Sequence, residues 1–153
     1  MAAHLLVERS VQIDRPPETV FDFLADGRND PRWCPKVRSA EQTLGDGPQL
    51  GARYQVVHQP TRIKPAAELT SEIVAFEPPH SIALRQEDGD GVFNVEYLIE
   101  RANGGTRFTQ RSEVEWKLPA PLRLIASRMV PRHLDGQMKK LKSMLESGDS
   151  VAG

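Results

Sequence analysis

Val20-Phe21-Asp22-Phe23-Leu24-Ala25-Asp26, followed by Asn29-Asp30-Pro31-Arg32-Trp33-Cys34-Pro35, decides how the chain is read. Val20, Phe21, Phe23 and Leu24 recur at helical spacing and form one apolar face. Ahead of them, Asp14 can cap, Pro16 and Pro17 suit a first helical turn, and Glu18 sits where a helix N-terminus favours negative charge. Asp26-Gly27 stops the helix, since glycine tolerates the left-handed turn that ends one. Cys34 precedes a proline, which disfavours helix and holds the Trp33 element to about one turn. Trp33 then has two readings: a rim aromatic packed on Pro35 and the first helix, or a gate at a cavity mouth.

Working outward, Leu5 to Ile13 reads as a half-buried first strand. From Lys36 the pattern is strand after strand. Val37–Leu44 runs into the turn Gly45-Asp46-Gly47-Pro48, and Ala52–His58 is interrupted at Pro60. Ala67–Phe76 ends at Glu77-Pro78-Pro79, and Ser81–Gln86 ends at the acidic turn Glu87-Asp88-Gly89-Asp90-Gly91. Val92–Arg101 carries Phe93, Val95, Tyr97 and Ile99 on one face, the cleanest period of two in the chain. Asn103-Gly104-Gly105 turns it into Arg107–Trp116.

After Leu118-Pro119-Ala120-Pro121 the period returns to helical. Leu122, Ile125, Ala126, Met129, Val130, His133, Leu134, Met138, Leu141 and Leu145 fall on one stripe, with six basic residues off it. Through Glu146 the helix is about 38 Å long. Pro131 is expected to kink or loosen it. Residues 147–153 read as a flexible tail.

One strand, a helix with a helical turn, six strands and a long helix make one domain over residues 1–153. Strands that follow one another without crossover helices pair antiparallel. A sheet buried on one face needs a cover, and only the last helix is long enough. The expected class is therefore α+β, a curved seven-stranded antiparallel sheet wrapped around a long C-terminal helix, with two short helices after the first strand.

Composition narrows function by exclusion. Twenty basic and 21 acidic side chains leave a formal net charge of -1, so no basic excess points to nucleic acid or to an anionic membrane. No apolar run approaches the ~20 residues that span a bilayer, and Glu8 and Arg9 come too early for a signal peptide. A lone cysteine excludes an internal disulfide, so the expected compartment is the cytoplasm. The four histidines have no metal-ligand spacing, and neither a cofactor motif nor a nucleophile motif is present. The acidic turn lacks the downstream glutamate of a calcium loop and reads as a solvated hairpin.

The string from Val20 to Val37, with the Glu77-Pro78-Pro79 turn and the Gly104-Gly105-Thr106-Arg107 turn before the last strand, resembles the polyketide-cyclase/dehydrase branch of the START-like superfamily. The resemblance covers Val7 to Glu146 and implies the helix-grip fold. It also implies a deep cavity between sheet and final helix, in a superfamily that includes lipid carriers, hormone binders and aromatase/cyclases. Matching tryptophans in that family lie at the cavity mouth, where Trp33 would stand.

Registers then nominate a cavity lining. The inward face carries Phe93, Val95 and Tyr97 on one strand and Phe108, Gln110 and Ser112 on the next. Met129, His133 and Leu134 come from the helix, and Trp33 and Tyr54 complete the set. Tyr54 shares a face with Val56, so it is read inward and Arg53 outward; Arg111 and Arg85 also read outward. The resemblance implies that aromatase/cyclases use an arginine and tyrosines to polarise and enolise a polyketide chain, and no arginine of this chain reads securely inward, which argues against that activity. Tyr54, Tyr97 and His133 are the inward acid–base candidates, each with an alternative as core packing. The expected function is binding or transport of a small apolar ligand such as a lipid, a polyketide or another hydrophobic metabolite. The alternatives are a cyclase/dehydrase using those groups and an interaction domain with a collapsed cavity. The sequence does not set an oligomeric state.

Overall fold

The computed structural model describes residues 3–59, 62–63 and 65–147. The tail expected beyond Ser147 lies outside them. The elements are β1 (Ala3–Ile13), α1 (Pro17–Ala25), a 3-10 turn (Gly27–Asn29), α2 (Asp30–Trp33), β2 (Val37–Leu44), β3 (Arg53–His58), β4 (Ala67–Glu77), β5 (Ser81–Asp88), β6 (Gly91–Ala102), β7 (Gly105–Trp116) and α3 (Ala120–Ser147). All seven strands form one antiparallel sheet in the order β1-β7-β6-β5-β4-β3-β2. Only β1 leaves sequence order, closing on β7 because the two helical elements after it carry the chain across to β2.

Registers match the period-two reading. Phe93, Val95, Tyr97 and Ile99 stand opposite Val114, Ser112, Gln110 and Phe108, so one continuous face carries all eight. That face meets α1 and the second half of α3. In α3 the buried residues are Leu134, Gln137, Met138, Leu141 and Leu145. Each fully buried aliphatic side chain on this seam contributes ~1.5–3 kcal/mol relative to exposure. Polar anchors fix it to β1: Arg9 Nε donates to Asp135 at 2.8 Å, and Lys142 Nζ donates to the Gln12 carbonyl at 2.6 Å. The Asp14 N–H donates to Glu146 at 2.9 Å.

The helical stripe is shorter than its sequence pattern. Leu122 and Ile125 are exposed rather than inward, as is Leu124 beside them. The apolar spacing continues to the helix start, but the sheet does not continue beneath it. Pro131 sits inside an unbroken helix.

Two local expectations change. Asp14 does not cap α1: Pro16 occupies the cap position without a side-chain bond, and the Asp14 N–H is engaged with Glu146. Gly27 is not a left-handed terminator, for α1 ends at an extended Asp26 (φ -90°, ψ 105°) whose carboxylate accepts from the Arg28 N–H. Glycine is needed at 27 for space. A Cβ there would stand 3.0–3.1 Å from three atoms of the fully buried Tyr54 ring.

Gly27→Ala is therefore expected to destabilise by ~1–3 kcal/mol through overpacking. Gly136→Ala, on an open face of α3 with nothing within 4 Å of the new methyl, should stabilise by ~0.5–1 kcal/mol. Urea denaturation of both variants checks the pair, and equal effects of either sign would refute the packing argument at Gly27.

Candidate functional site

Between the sheet and α3, where the apolar seam gives out, lies a cavity of about 100 Å³. Val56, Leu69, Phe93, Val95, Val114, Val130 and Leu134 supply its apolar walls. Its polar lining comes from Asp30, Lys36, His58, Gln86, Gln110, Ser112 and Gln137, with the Tyr97 hydroxyl-bearing ring among them. Of the residues nominated from sequence, Phe93, Val95, Tyr97, Gln110, Ser112 and Leu134 line it. Trp33, Tyr54, Phe108, Met129 and His133 do not.

Trp33 is buried completely and meets Tyr97 and Phe108 edge-on, with ring centroids 6.1 and 6.4 Å away. It is a core aromatic beneath the cavity and not a rim residue. The one-turn α2 can carry so large a side chain because its end is pinned from α3, where Gln137 Nε2 donates to Cys34 Sγ at 2.9 Å. Tyr54 and Phe108 are buried in the same cluster. His133 stays half-buried, its pKa lowered first by burial and then by the nearby Lys36 charge.

Gln110 and Ser112 point inward and are bonded to each other, Gln110 Nε2 to Ser112 Oγ at 3.3 Å. Gln110 Oε1 is buried without a partner among the described residues. Whichever way the amide is turned, one of its two polar atoms faces the cavity unsatisfied, at the cost of an unmade hydrogen bond. Tyr97 is kept neutral, its pKa pushed well up by burial and further by the Asp30 and Cys34 charges.

The polar end of the cavity is the part that sequence reasoning missed. His58, at the end of β3, stands 3.0 Å by Nε2 from Asp88 Oδ2 at the end of β5, reaching across β4. Their side chains are only 13% and 4% exposed. The contact has ion-pair distance, but the ring N–H is angled off the oxygen and makes no well-formed hydrogen bond. The other Asp88 oxygen accepts from the N–H groups of Asp90 and Gly91 at 2.7 and 3.1 Å. Burial tends to raise the Asp88 pKa, but His58 and these two backbone donors outweigh it and hold the carboxylate low. So Asp88 belongs to the interior, contrary to the solvated hairpin expected of its turn. Lys36, just before β2, has its pKa lowered by burial, with Cys34 and Asp88 opposing. Its side chain has neither an ion pair nor a hydrogen bond to a described residue.

Asp30, at the start of α2, keeps some exposure as a residue while its carboxyl lies inside. Burial pushes that carboxyl up to about 7, opposed by the Trp33 side chain and reinforced by Asp26. The indole N–H nears the carboxyl without completing a hydrogen bond. The arginines lie outside: Arg53 pairs with Glu72, Arg85 approaches Glu87, and Arg111 lies between Glu8 and Glu96. Among the described residues no group of His, Cys, Asp and Glu is arranged to hold a metal ion.

The chain belongs to the polyketide cyclase/dehydrase and lipid transport family, whose model matches residues 4–146. Its fold is that of the START-like proteins. The Zhui aromatase/cyclase from a Streptomyces species superposes with a TM-score of 0.83 at 18% identity, covering 99% of each chain. A START superfamily protein from Mycobacterium smegmatis gives 0.76 at 16% identity, covering 95% of this chain and 99% of its own. The di-domain ARO/CYC BexL gives 0.72 at 15% identity, with 92% of this chain covering 49% of that one. No curated protein matches the sequence. At these identities the likeness is one of fold. No helix among the described residues is long and apolar enough to cross a membrane.

Two outcomes test the site's energetics. Trp33→Ala should cost ~3–5 kcal/mol, as for other buried aromatics, and a loss below 1 kcal/mol by urea denaturation would return Trp33 to the rim. Asp30 binds its proton more tightly folded than unfolded, so stability should fall as pH rises from about 3.8 to about 7 and level off above. The full span is worth ~4 kcal/mol. Asp30→Asn should remove that slope, matching the native protein near pH 4 and exceeding it at pH 8. An unchanged slope in the variant would place the titration elsewhere.

Proposed function

We propose that the protein binds and carries a small amphipathic molecule in the cavity between the sheet and α3. The supporting observation is the division of the lining into an apolar wall and a polar end, with the unsatisfied Gln110 amide facing inward. A mostly apolar pocket with a few placed polar groups is the usual form of a small-molecule site. The cavity is below the ~300–1,000 Å³ of drug-sized sites, so a long acyl or polyketide chain fits only if the first half of α3 swings away. A compact ligand with a hydroxyl or carbonyl head fits as the structure stands. Its head would meet Gln110 and the His58–Lys36 end, and its body Phe93, Val95, Val114 and Leu134. This reading keeps the protein in the cytoplasm, as its single cysteine suggests.

A second reading has its own observation. His58 held against Asp88 is an imidazole with an orienting carboxylate, the arrangement of a general base, and Lys36 stands near enough to stabilise developing negative charge. In a cyclase/dehydrase-type enzyme these three, with Tyr97 as a neutral donor, would replace Tyr54 and His133 as the acid–base groups.

Native mass spectrometry of the protein purified from its own host should show a bound small molecule. With that molecule in hand, His58→Gln and Gln110→Leu should each weaken binding by ~0.5–1.5 kcal/mol while the ligand leaves unchanged. A ligand-free protein that also fails to displace an apolar fluorophore would end the carrier reading. Conversion of the ligand by the native protein, abolished in His58→Gln with binding intact, would establish the enzyme instead.

A further inference from the structure

The overall charge balance conceals a segregation. From Leu118 to Leu134 the chain contains Arg123, Arg128 and Arg132 and no acidic residue. Elsewhere most exposed arginines face carboxylates: Arg9 faces Asp135, Arg28 faces Asp26, Arg53 faces Glu72 and Arg111 faces Glu8. The three guanidiniums of early α3 have no ion-pair partner among the described residues. Interleaved with them, Leu122, Leu124 and Ile125 are 53%, 57% and 59% exposed. At helical spacing Ile125, Arg128 and Arg132 share the outward face, with Leu122 and Met129 along its edge.

We propose that this first half of α3 is a docking surface for an anionic lipid bilayer, lying in the interface with Leu122, Leu124 and Ile125 in the acyl boundary and Arg128 and Arg132, the two arginines of the outward face, at the phosphates. Charge complementarity commits the surface to that occupant. Arginine stems lie along apolar depth while their heads stay with anionic oxygen, so arginine and leucine can share one face at a lipid interface. The opposite side of the same helix carries Val130 and Leu134, which line the cavity. Docking thus brings the bilayer within one helix diameter of the site. The surface needs no ligand in the cavity, so the proposal stands apart from the carrier reading.

The test is flotation of the full chain with two vesicle types, phosphatidylcholine alone and phosphatidylcholine containing about a third phosphatidylglycerol. Partition onto the anionic vesicles should be tighter by on the order of tenfold and should fall as salt is raised. Leu122→Glu/Ile125→Glu should lose it while melting like the native protein, since both positions are exposed. Arg128→Gln/Arg132→Gln should abolish the preference between the two vesicles. Sedimentation of the same samples distinguishes a second copy as the occupant. Equal partition onto both vesicles, partition onto neither, or a self-association dissolved by Leu122→Glu/Ile125→Glu would each overturn the proposal.

Discussion

The seam between the second half of α3 and the concave face of the sheet is the contact on which the rest of the structure depends. Leu134, Met138, Leu141 and Leu145 fill the concavity, and the bonds Arg9 to Asp135, Lys142 to the Gln12 carbonyl and the Asp14 N–H to Glu146 tie the helix to β1 and the residue just after it at one edge of the sheet. Because the anchors and the apolar side chains are concentrated after Leu134, the helix is fixed at one end only. The space that Val130 and Leu134 begin to roof is left open, and that space is the cavity. A helix packed over its whole length would have closed it, and one without the anchors would have no fixed distance from β6 and β7.

The cavity's polar end is an expensive arrangement that the fold makes tolerable by local means. An uncompensated buried carboxylate costs several kcal/mol, so it survives only where donors surround it. Asp88 meets that condition with two backbone N–H groups from its own turn and the imidazole across β4, and its pKa falls accordingly. Asp30 does not meet it, and its carboxyl responds by holding its proton to about 7. Two buried acids, Asp30 in the cavity lining and Asp88 behind the lining residue His58, are thus driven in opposite directions by what surrounds them. Such a site presents a neutral carboxyl donor at Asp30 below about pH 7 and, at His58, an imidazole backed by a fixed carboxylate, which suits an amphipathic ligand better than a purely apolar one.

How far the sequence reveals this depends on the range of the interaction that carries each feature. The strands were legible because period two is local: Phe93, Val95, Tyr97 and Ile99 face inward as their alternation requires, and Gln110 and Ser112 follow from the register of their own strand. Tyr54 inward and Arg53 outward follow from the same rule. The helical stripe of α3 misled, because spacing shows which residues share a face but not where the sheet beneath ends, and Leu122 and Ile125 lie past that end. Trp33 was misplaced because a one-turn element has no periodicity to reveal its buried side. His58, Asp88 and Lys36 sit at strand ends and turns, where sequence carries only a turn signal. Their meeting depends on the pairing of β3, β4 and β5, and on the curvature that brings β2 near. Gly27 had a plain signal with the wrong cause, since the space demanded by the Tyr54 ring is a tertiary fact.

The same contrast between local and global quantities governs the chain's charge. A net value of -1 argues against general attraction to polyanions, and for the whole molecule that holds. Attraction at short range depends on the charges within about a Debye length, ~8–10 Å under ordinary salt, and a stretch of helix is sampled by its own side chains. α3 carries six basic and two acidic residues, so the remainder of the chain is correspondingly acidic. A molecule charged in this way is repelled from an anionic surface in most orientations and attracted in one. The orientation selected is the one that turns the unanchored half of α3, and with it the open side of the cavity, toward that surface.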